Sequence, residues 1–435
     1  MISPPFFIEE QARMDLFFSY IYKFLARFLG VRKHLPENAK TLIWMIALYD
    51  FTFVIPSTFL NVFLFRQSQD WNVVLPFNLI QFFLIPVGFW MGGALAPRFG
   101  HRVSYQLGFI SYSLLLLSLL FLRESAPEHV WFLGVLSGLA LGFYYLGQHA
   151  LTLDITKAKD RDYFFSLYML ISSILKIPAP MLAGWVIASF NTGLLHLGRD
   201  LAGYYLVFGV TLLIYVGLIV QSFKLKVPPH KADNFNVMEV LRLEWKDDWK
   251  ALLKAWFFSG IRGGVFWFVG PLFVYKAWNN ELAVGNYNTL STFLAVVTAY
   301  VLSRWDGYKD RAKGMNYSSF LIIGSTLVLA VSLGPLALLL FGILYSVGAT
   351  WFQIGFNSIS FNVIENAIYS KARKLEYLTL RELPLALGRF IGIGLFWFGL
   401  GKYGDTGLRI ALVLLGLSQW GTNHFYSIAN GRTKK

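Results

Sequence analysis

Cysteine is absent from the 435 residues. That excludes disulfides, thiolate metal centres and cysteine nucleophiles, and leaves the redox compartment unreadable. Charge is scarce too. Asp, Glu, Lys and Arg make up 14% of the chain, against about 25% in soluble domains. No GxxxxGK-S/T phosphate loop and no HExxH helix occurs, so ATP hydrolysis and zinc protease chemistry both lack their signatures. The 7 histidines are scattered. No metal and no other cofactor is expected. A cleavable signal peptide is not expected either, because the first long apolar run begins only near Leu42.

What is present is hydrophobic: 56% of residues are apolar and 18% aromatic. Such a chain reads as a polytopic membrane protein. About 20 apolar residues cross a bilayer as a helix. Runs of that kind fall at 41–64, 72–96, 103–122, 129–153, 163–188 and 202–223, and again at 251–276, 284–304, 315–334, 336–363, 377–400 and 406–428. Twelve spans are therefore expected. The one long connection, 224–250, divides them into six and six. The expected layout is an N-terminal segment 1–40, a bundle 41–223, a linker 224–250, a second bundle 251–428 and a tail 429–435.

The net charge of +14 is not spread evenly. Segments on the side of the termini and linker carry 28 Lys and Arg, and the opposite loops carry 5. Basic residues are retained in the cytoplasm, so both termini and the linker are expected there. The excess charge thus encodes topology, and no nucleic-acid partner is expected. Two amphipathic stretches flank the spans. In residues 14–30, Phe17, Phe18, Ile21, Phe24, Leu25, Phe28 and Leu29 recur at helical spacing, with Lys23 and Arg27 on the other face. This helix lies on membrane lipids or docks on the protein itself. The linker sequence VMEVLRLEWKDDWKALLKAWF predicts a second one.

The halves carry a trace of duplication. YYLGQHALTLDIT (144–156) aligns without gaps to FQIGFNSISFNVI (352–364). Gly147 then meets Gly355, His149 meets Asn357 and Asp154 meets Asn362. Both stretches close the fourth span of their half. Repeated halves are an architecture of secondary transporters, with the substrate near the midplane between them.

The loop after the second span reads GALAPRFGHR, residues 93–102. It resembles the G-x-L-a-D-R-x-G-R-R/K signature of the major facilitator superfamily at Gly93, Leu95, Arg98, Gly100 and Arg102. Pro97 stands where that family has aspartate. Downstream, Asp154, Arg161, Pro180 and Gly184 fall where the family shows an acid, an arginine and a P-x-x-x-G pattern. The resemblance is to bacterial members of unassigned substrate. It implies an all-α fold of two pseudo-symmetric six-helix bundles, transport rather than enzymatic activity, a monomer, and the bacterial inner membrane. It also implies a conformational gate at Gly93, Arg98, Gly100, Arg102, Asp154 and Arg161, one that lacks its usual aspartate.

Charged groups inside the spans are the candidates for function. A carboxylate in hydrocarbon costs about 2.5–3.5 kcal/mol on insertion scales. Asp50 nevertheless sits about 13 Å into a core about 30 Å thick. Arg262 lies at similar depth in the seventh span. Lys176, Glu382 and Arg389 lie within the fifth and eleventh, and His149, Gln353 and Asn357 within the fourth and tenth. These eight are the expected substrate- or proton-binding residues, since superfamily members turn these spans toward a central cavity. Asp50 and Arg262 are expected as partners, either in a structural ion pair or in proton coupling. Glu382 is expected to neutralise Arg389 or to pair with Arg381 or Lys374. His149 is a buried histidine or a proton relay. Trp267, Tyr144, Tyr145, Trp351 and Phe352 line the same spans, as packing or as ligand contacts. The expected activity is proton-coupled alternating-access transport of a small anionic or amphipathic solute. The alternatives are a lipid or glycolipid flippase on the same fold and, more remotely, an intramembrane enzyme or sensor.

Overall fold

The computed structural model describes residues 35–156, 158–191, 201–225, 235–304, 311–367 and 373–433. The amphipathic segment expected at 14–30 lies outside them. The described chain is helical throughout, as lipid demands of a backbone that must satisfy its own hydrogen bonds. In order the helices are α1 Glu37–Ser68, α2 Trp71–Phe99, α3 His101–Leu122, α4 Val130–Ile155, α5 Ala158–Lys176, α6 Ala179–Asn191, α7 Ala202–Ser222, α8 Val237–Arg242, α9 Asp247–Phe266, α10 Val269–Trp278, α11 Glu281–Arg304, α12 Arg311–Val331, α13 Pro335–Glu365 and α14 Lys374–Thr433.

Nine stretches among the described residues are long and apolar enough to cross a membrane. Two of them, His101–Ile155 and Lys374–Gly431, run to 55 and 58 residues. At 1.5 Å per residue each exceeds two bilayer cores. Both turn back on themselves. The first does so at a 3₁₀ turn over Arg123–His129, the second at Gly404, whose φ of 56° a side chain would resist. Two other spans are interrupted. The fifth breaks at Ile177–Pro178 between α5 and α6, and the seventh at Trp267–Phe268 between α9 and α10.

The linker departs from the single amphipathic helix expected over 237–257. It forms α8, then an extended stretch from Leu243 that Trp245 ties back by donating to the Val240 carbonyl. α9 starts afresh at Asp247, with Asp247 and Asp248 in its first turn, where the helix dipole favours acids.

The ends of the helices where α1 and α9 begin are termed proximal here, and the opposite ends distal. Apolar lipid gives little drive to bury apolar helices, so contact rests on small residues and internal polar pairs. Gly134, Gly138 and Gly142 bring α4 onto the α2 backbone; a Cβ on Gly138 would stand 2.4 Å from the Gln81 carbonyl oxygen. Asn78 donates to Asn61 at 2.6 Å and Ser137 to Gln81 at 2.7 Å. A Gln–Ser clasp joins α3 to α7 (Gln106–Ser222, 2.9 Å), and another joins α14 to α12 (Gln419–Ser319, 3.1 Å).

Helices α1–α7 and α9–α14 meet chiefly where α2 lies on α14 and α6 lies on α11. The buried core reflects an asymmetry. One continuous cluster takes in α1–α7 together with distal residues of the second part, including Phe266, Phe273, Tyr287, Phe341 and Phe396. The proximal residues of the second part, among them Trp249, Phe352, Phe356, Tyr377 and Tyr426, form a separate cluster. The two parts share a core distally and not proximally.

Candidate functional site

Asp50 faces α5. Lys176 approaches its Oδ2 to 3.3 Å, the Tyr168 hydroxyl donates to the same oxygen at 3.2 Å, and the Ser172 hydroxyl makes a further short bond. The three donors sit four residues apart, one helical stripe on α5 aimed at one carboxylate oxygen. The expected Asp50–Arg262 pairing is not what forms. Arg262 is buried and donates from Nη1 to the Tyr345 hydroxyl at 2.6 Å, with its guanidinium 5.5 Å from the same ring. The reason is local: α5 supplies Asp50 with three donors from within its own part, and α13 supplies Arg262 with an acceptor from within the other.

Glu382 and Arg389 do not neutralise one another directly. Glu382 is held by Arg381, its chain neighbour, at 2.7 Å, and Arg381 in turn lies over the Trp256 ring at 4.7 Å. Arg381 is one of the three partners expected for Glu382. Lys374 is engaged by Glu365 at 3.5 Å. Arg389 instead crosses to the first part and lies over the Phe82 ring at 4.6 Å. Among the described residues its buried Nε has no hydrogen-bond partner, nor has that of Arg262. Gln353 and Asn357 bond to each other along α13 at 2.9 Å. His149 is half-buried, with Arg381 and Lys374 near enough to act on it electrostatically.

The aromatic candidates separate into packing and interface residues. Tyr144 stacks on Tyr49 at 3.4 Å and Phe352 is fully buried, so both are core. Trp351 packs toward Tyr317 and Gly314 of α12. Trp267 is 43% exposed at the break in the seventh span, 6.3 Å from Phe53 and 6.4 Å from Phe82. Tyr145 packs edge-on against Tyr144, ring centroids 5.3 Å apart. Phe53, Phe82, Trp267 and Arg389 thus come together midway along the helices, where the two parts face one another.

At the proximal end, Gly93 lies against the Phe235 ring, where a Cβ would come within 2.3 Å of it. Gly100 turns α2 into α3 at φ 79°. Arg102 donates to the carbonyls of Leu225 at 3.2 Å and Phe223 at 3.4 Å, closing the end of α7. Arg98 is exposed. Asp154 meets His101 Nδ1 at 2.7 Å. Arg161 lies on α5 with its side chain outside the described residues. These contacts stay within the first part or run to the linker.

The distal end carries what sequence reasoning missed. Arg66, at the end of α1, pairs with Glu281, at the start of α11, at 2.6 Å, and the Tyr204 hydroxyl donates to the same Glu281 oxygen at 3.1 Å. Trp71 wedges between Phe273 and Phe396 at 5.9 and 5.6 Å. Trp397 donates to Asn72 at 2.8 Å. Each of these contacts joins the two parts. The signal for Glu281 was a solitary carboxylate opening a span, opposite a solitary Arg66. Tyr168 and Ser172 were legible as a four-residue polar stripe ending at Lys176. His101 and Tyr345 carried no signal of their own.

A family model described as Major Facilitator Superfamily matches residues 51–372. The chain belongs to that superfamily. It is accordingly an integral membrane protein of a transporter family and not an enzyme, and small molecules are the cargo of such transporters. Among curated proteins, "Uncharacterized protein YqgE" of Bacillus subtilis (strain 168) is 27% identical over 372 residues, covering 85% of this chain and 84% of that protein. "Uncharacterized protein in sodM 3'region" of Geobacillus stearothermophilus is 28% identical over 135 residues. That match takes in 31% of this chain and 63% of the other. Among solved structures, one described as "Structure of a bacterial metal transporter" superposes with a TM-score of 0.60 at 13% identity, covering 92% of this chain and all of the other. At that identity the likeness is one of fold.

Proposed function

We propose that this member is a secondary active carrier of twelve spans in two pseudo-symmetric bundles, 41–223 and 251–428, joined by the linker 224–250. α11 supplies the eighth of these spans, the run 284–304. It works by alternating access in a bacterial inner membrane, as a monomer with termini and linker in the cytoplasm, and moves a small anionic or amphipathic solute coupled to protons. One observation carries the reading. The parts are sealed distally by Arg66–Glu281, Trp71 and Trp397–Asn72, share a core only there, and meet at mid-length where Arg389 lies over Phe82. This is the arrangement of a carrier closed at one face and accessible from the other.

Asp50 has the features of a coupling group. Its charge is compensated by Lys176 and two hydroxyls, so protonating it dissolves a pair inside the first bundle and frees α1 from α5. The proximal residues Gly93, Arg98, Gly100, Arg102, Asp154 and Arg161 would meet the second bundle only when that face closes. The metal cargo of the structural neighbour is not carried over, because the described residues bring no three His, Asp or Glu side chains together.

The absence of cysteine makes the test direct. Spin labels at Glu128→Cys and Asp405→Cys report the distal face, and labels at Phe99→Cys and Asn362→Cys the proximal one. In proteoliposomes, lowering the pH should shift both distance distributions in opposite senses, and Asp50→Asn should hold one distribution at every pH. Distances that ignore pH in the unmutated background, or respond equally in Asp50→Asn, refute the coupling role.

A second reading, lipid translocation, is favoured by one cavity. About 560 Å³ opens between α2 and α14 under α8, lined by Phe83, Trp90, Met238, Leu241, Leu383 and Leu387 among others. Flipping of a fluorescent phospholipid by the purified protein, lost on filling this cavity with Ala386→Trp, would decide for it.

A further inference from the structure

The ionised side chains within the spans do not balance. Asp50 is matched by Lys176, Glu382 by Arg381 and Glu281 by Arg66. Arg409, near a span end, is met by the carbonyls of Ala330 and Val331; Arg262 and Arg389 remain. Among the described residues neither forms an ion pair, and the Nε of each is buried without an acceptor. Arg262 is only 6% exposed, and among the described residues its hydrogen-bonding neighbour is the Tyr345 hydroxyl. A buried cation without a counter-ion is costly, and so is a buried N–H without an acceptor. Such groups persist where a ligand completes them.

The surroundings of Arg389 specify that ligand further. Its guanidinium lies over Phe82, which belongs to the other bundle, and Trp267 and Phe53 continue the same aromatic wall. Trp267 keeps 43% of its surface exposed at the helix break, an aromatic face left open at mid-membrane. Cation–π contact offsets part of the cost of Arg389 but leaves Nε unmet.

Resting on the carrier reading, we propose that the transported solute is an organic anion with a planar, apolar body. Its carboxylate or phosphate is held by Arg389, and its body stacks against Phe82 and Trp267. Asp50 takes no part in binding the anion. Because Arg389 and Phe82 come from different bundles, the solute bridges them, and its departure leaves the cation–π contact and the Trp267 ring contacts to join them at that level.

The test supplies the missing charge covalently. Phe82→Glu places a carboxylate beside Arg389, and Phe82→Gln is its uncharged control. The expected result is a Tm higher for Phe82→Glu than for Phe82→Gln by at least about 2 °C, with the difference abolished in an Arg389→Gln background. Equal or lower stability of Phe82→Glu overturns the proposal. In parallel, benzoate, phenyl phosphate, benzylamine and benzyl alcohol are titrated against the full-length protein in detergent. The anions should raise Tm, the amine and alcohol should not, and Arg389→Gln should weaken anion binding at least tenfold. Preference for the amine, or no response to either anion, overturns it even if the Phe82 variants fail to fold. The spin-label response to pH reads the carrier cycle separately, so the anion site can fail while the carrier reading stands.

Discussion

Consider Glu281→Gln. The change conserves size and keeps an acceptor for the Tyr204 hydroxyl, so what it removes is the charge facing Arg66. The pair is short, 2.6 Å, and largely enclosed, with side-chain exposures of 21% for Arg66 and 6% for Glu281. Breaking a fully buried pair costs about 3–5 kcal/mol. Arg66 retains a fifth of its surface in solvent, which screens the loss and brings it to about 2–3 kcal/mol. Arg66 belongs to α1 and Glu281 to α11, so the contact exists only while the distal face is closed. Its loss therefore acts on the closed–open equilibrium, as a shift of about 30- to 150-fold. A population closed in 99 of 100 molecules would move to roughly even. The spin pair at Glu128→Cys and Asp405→Cys should then show a second, longer distance of comparable weight, and maleimide should label a cysteine at Thr289 faster. Arg66→Gln should reproduce the effect, and the double substitution should add little to either. An unchanged distance distribution in Glu281→Gln, with the protein folded, would refute the claim that this pair closes the distal face.

Three further outcomes follow from the same contacts. Lys176→Met strips Asp50 of its cation and leaves it the hydroxyls of Tyr168 and Ser172; with Lys176 one-third exposed, the loss is about 1–2 kcal/mol. Tm in detergent should fall, and adding Asp50→Asn should restore it, whereas a simple packing defect would not be rescued. Tyr345→Phe keeps the ring under Arg262 but removes the acceptor of its Nη1, at a cost of about 1–3 kcal/mol. A lowered Tm with unchanged far-ultraviolet circular dichroism is expected, and an unchanged Tm contradicts it. His101→Ala removes the 2.7 Å contact to Asp154 that ties the start of α3 to the end of α4. Proteolysis at the α4–α5 junction should become faster, and an unaltered cleavage rate would count against a tethering role.

Most of the helices were legible because hydrocarbon imposes a period and a length: the twelve runs each find helical counterparts among the described residues. Breaks follow from residue type where chemistry forces them, as at Pro178. They were not legible at Trp267–Phe268, where no proline intervenes, or at Leu243–Lys246, where the helix period continues through the sequence while Trp245 folds back on the Val240 carbonyl and Trp249 packs on Tyr377. The presence of charge at mid-membrane was equally legible, but its pairing was not. Asp50 and Arg262 sit at matching depth in equivalent spans, and depth is all that counting residues measures. Which face a residue takes depends on helix rotation, and there the Tyr168–Ser172–Lys176 stripe held the information. Arg66 and Glu281 escaped notice because they lie at span ends, where a charged side chain costs little and so draws no attention.

Gly184 and Gly285 mark where α6 crosses α11. A Cβ on the first would stand 2.6 Å from the Glu281 carbonyl oxygen, and on the second 2.4 Å from that of Pro180. Backbone touches backbone there, with no knobs to lift from their holes before one helix can pivot on the other. If the bundles turn about any line, the bare crossing is its natural bearing, and the friction felt during each turnover is set less by the residues that hold the solute than by two that have no side chain.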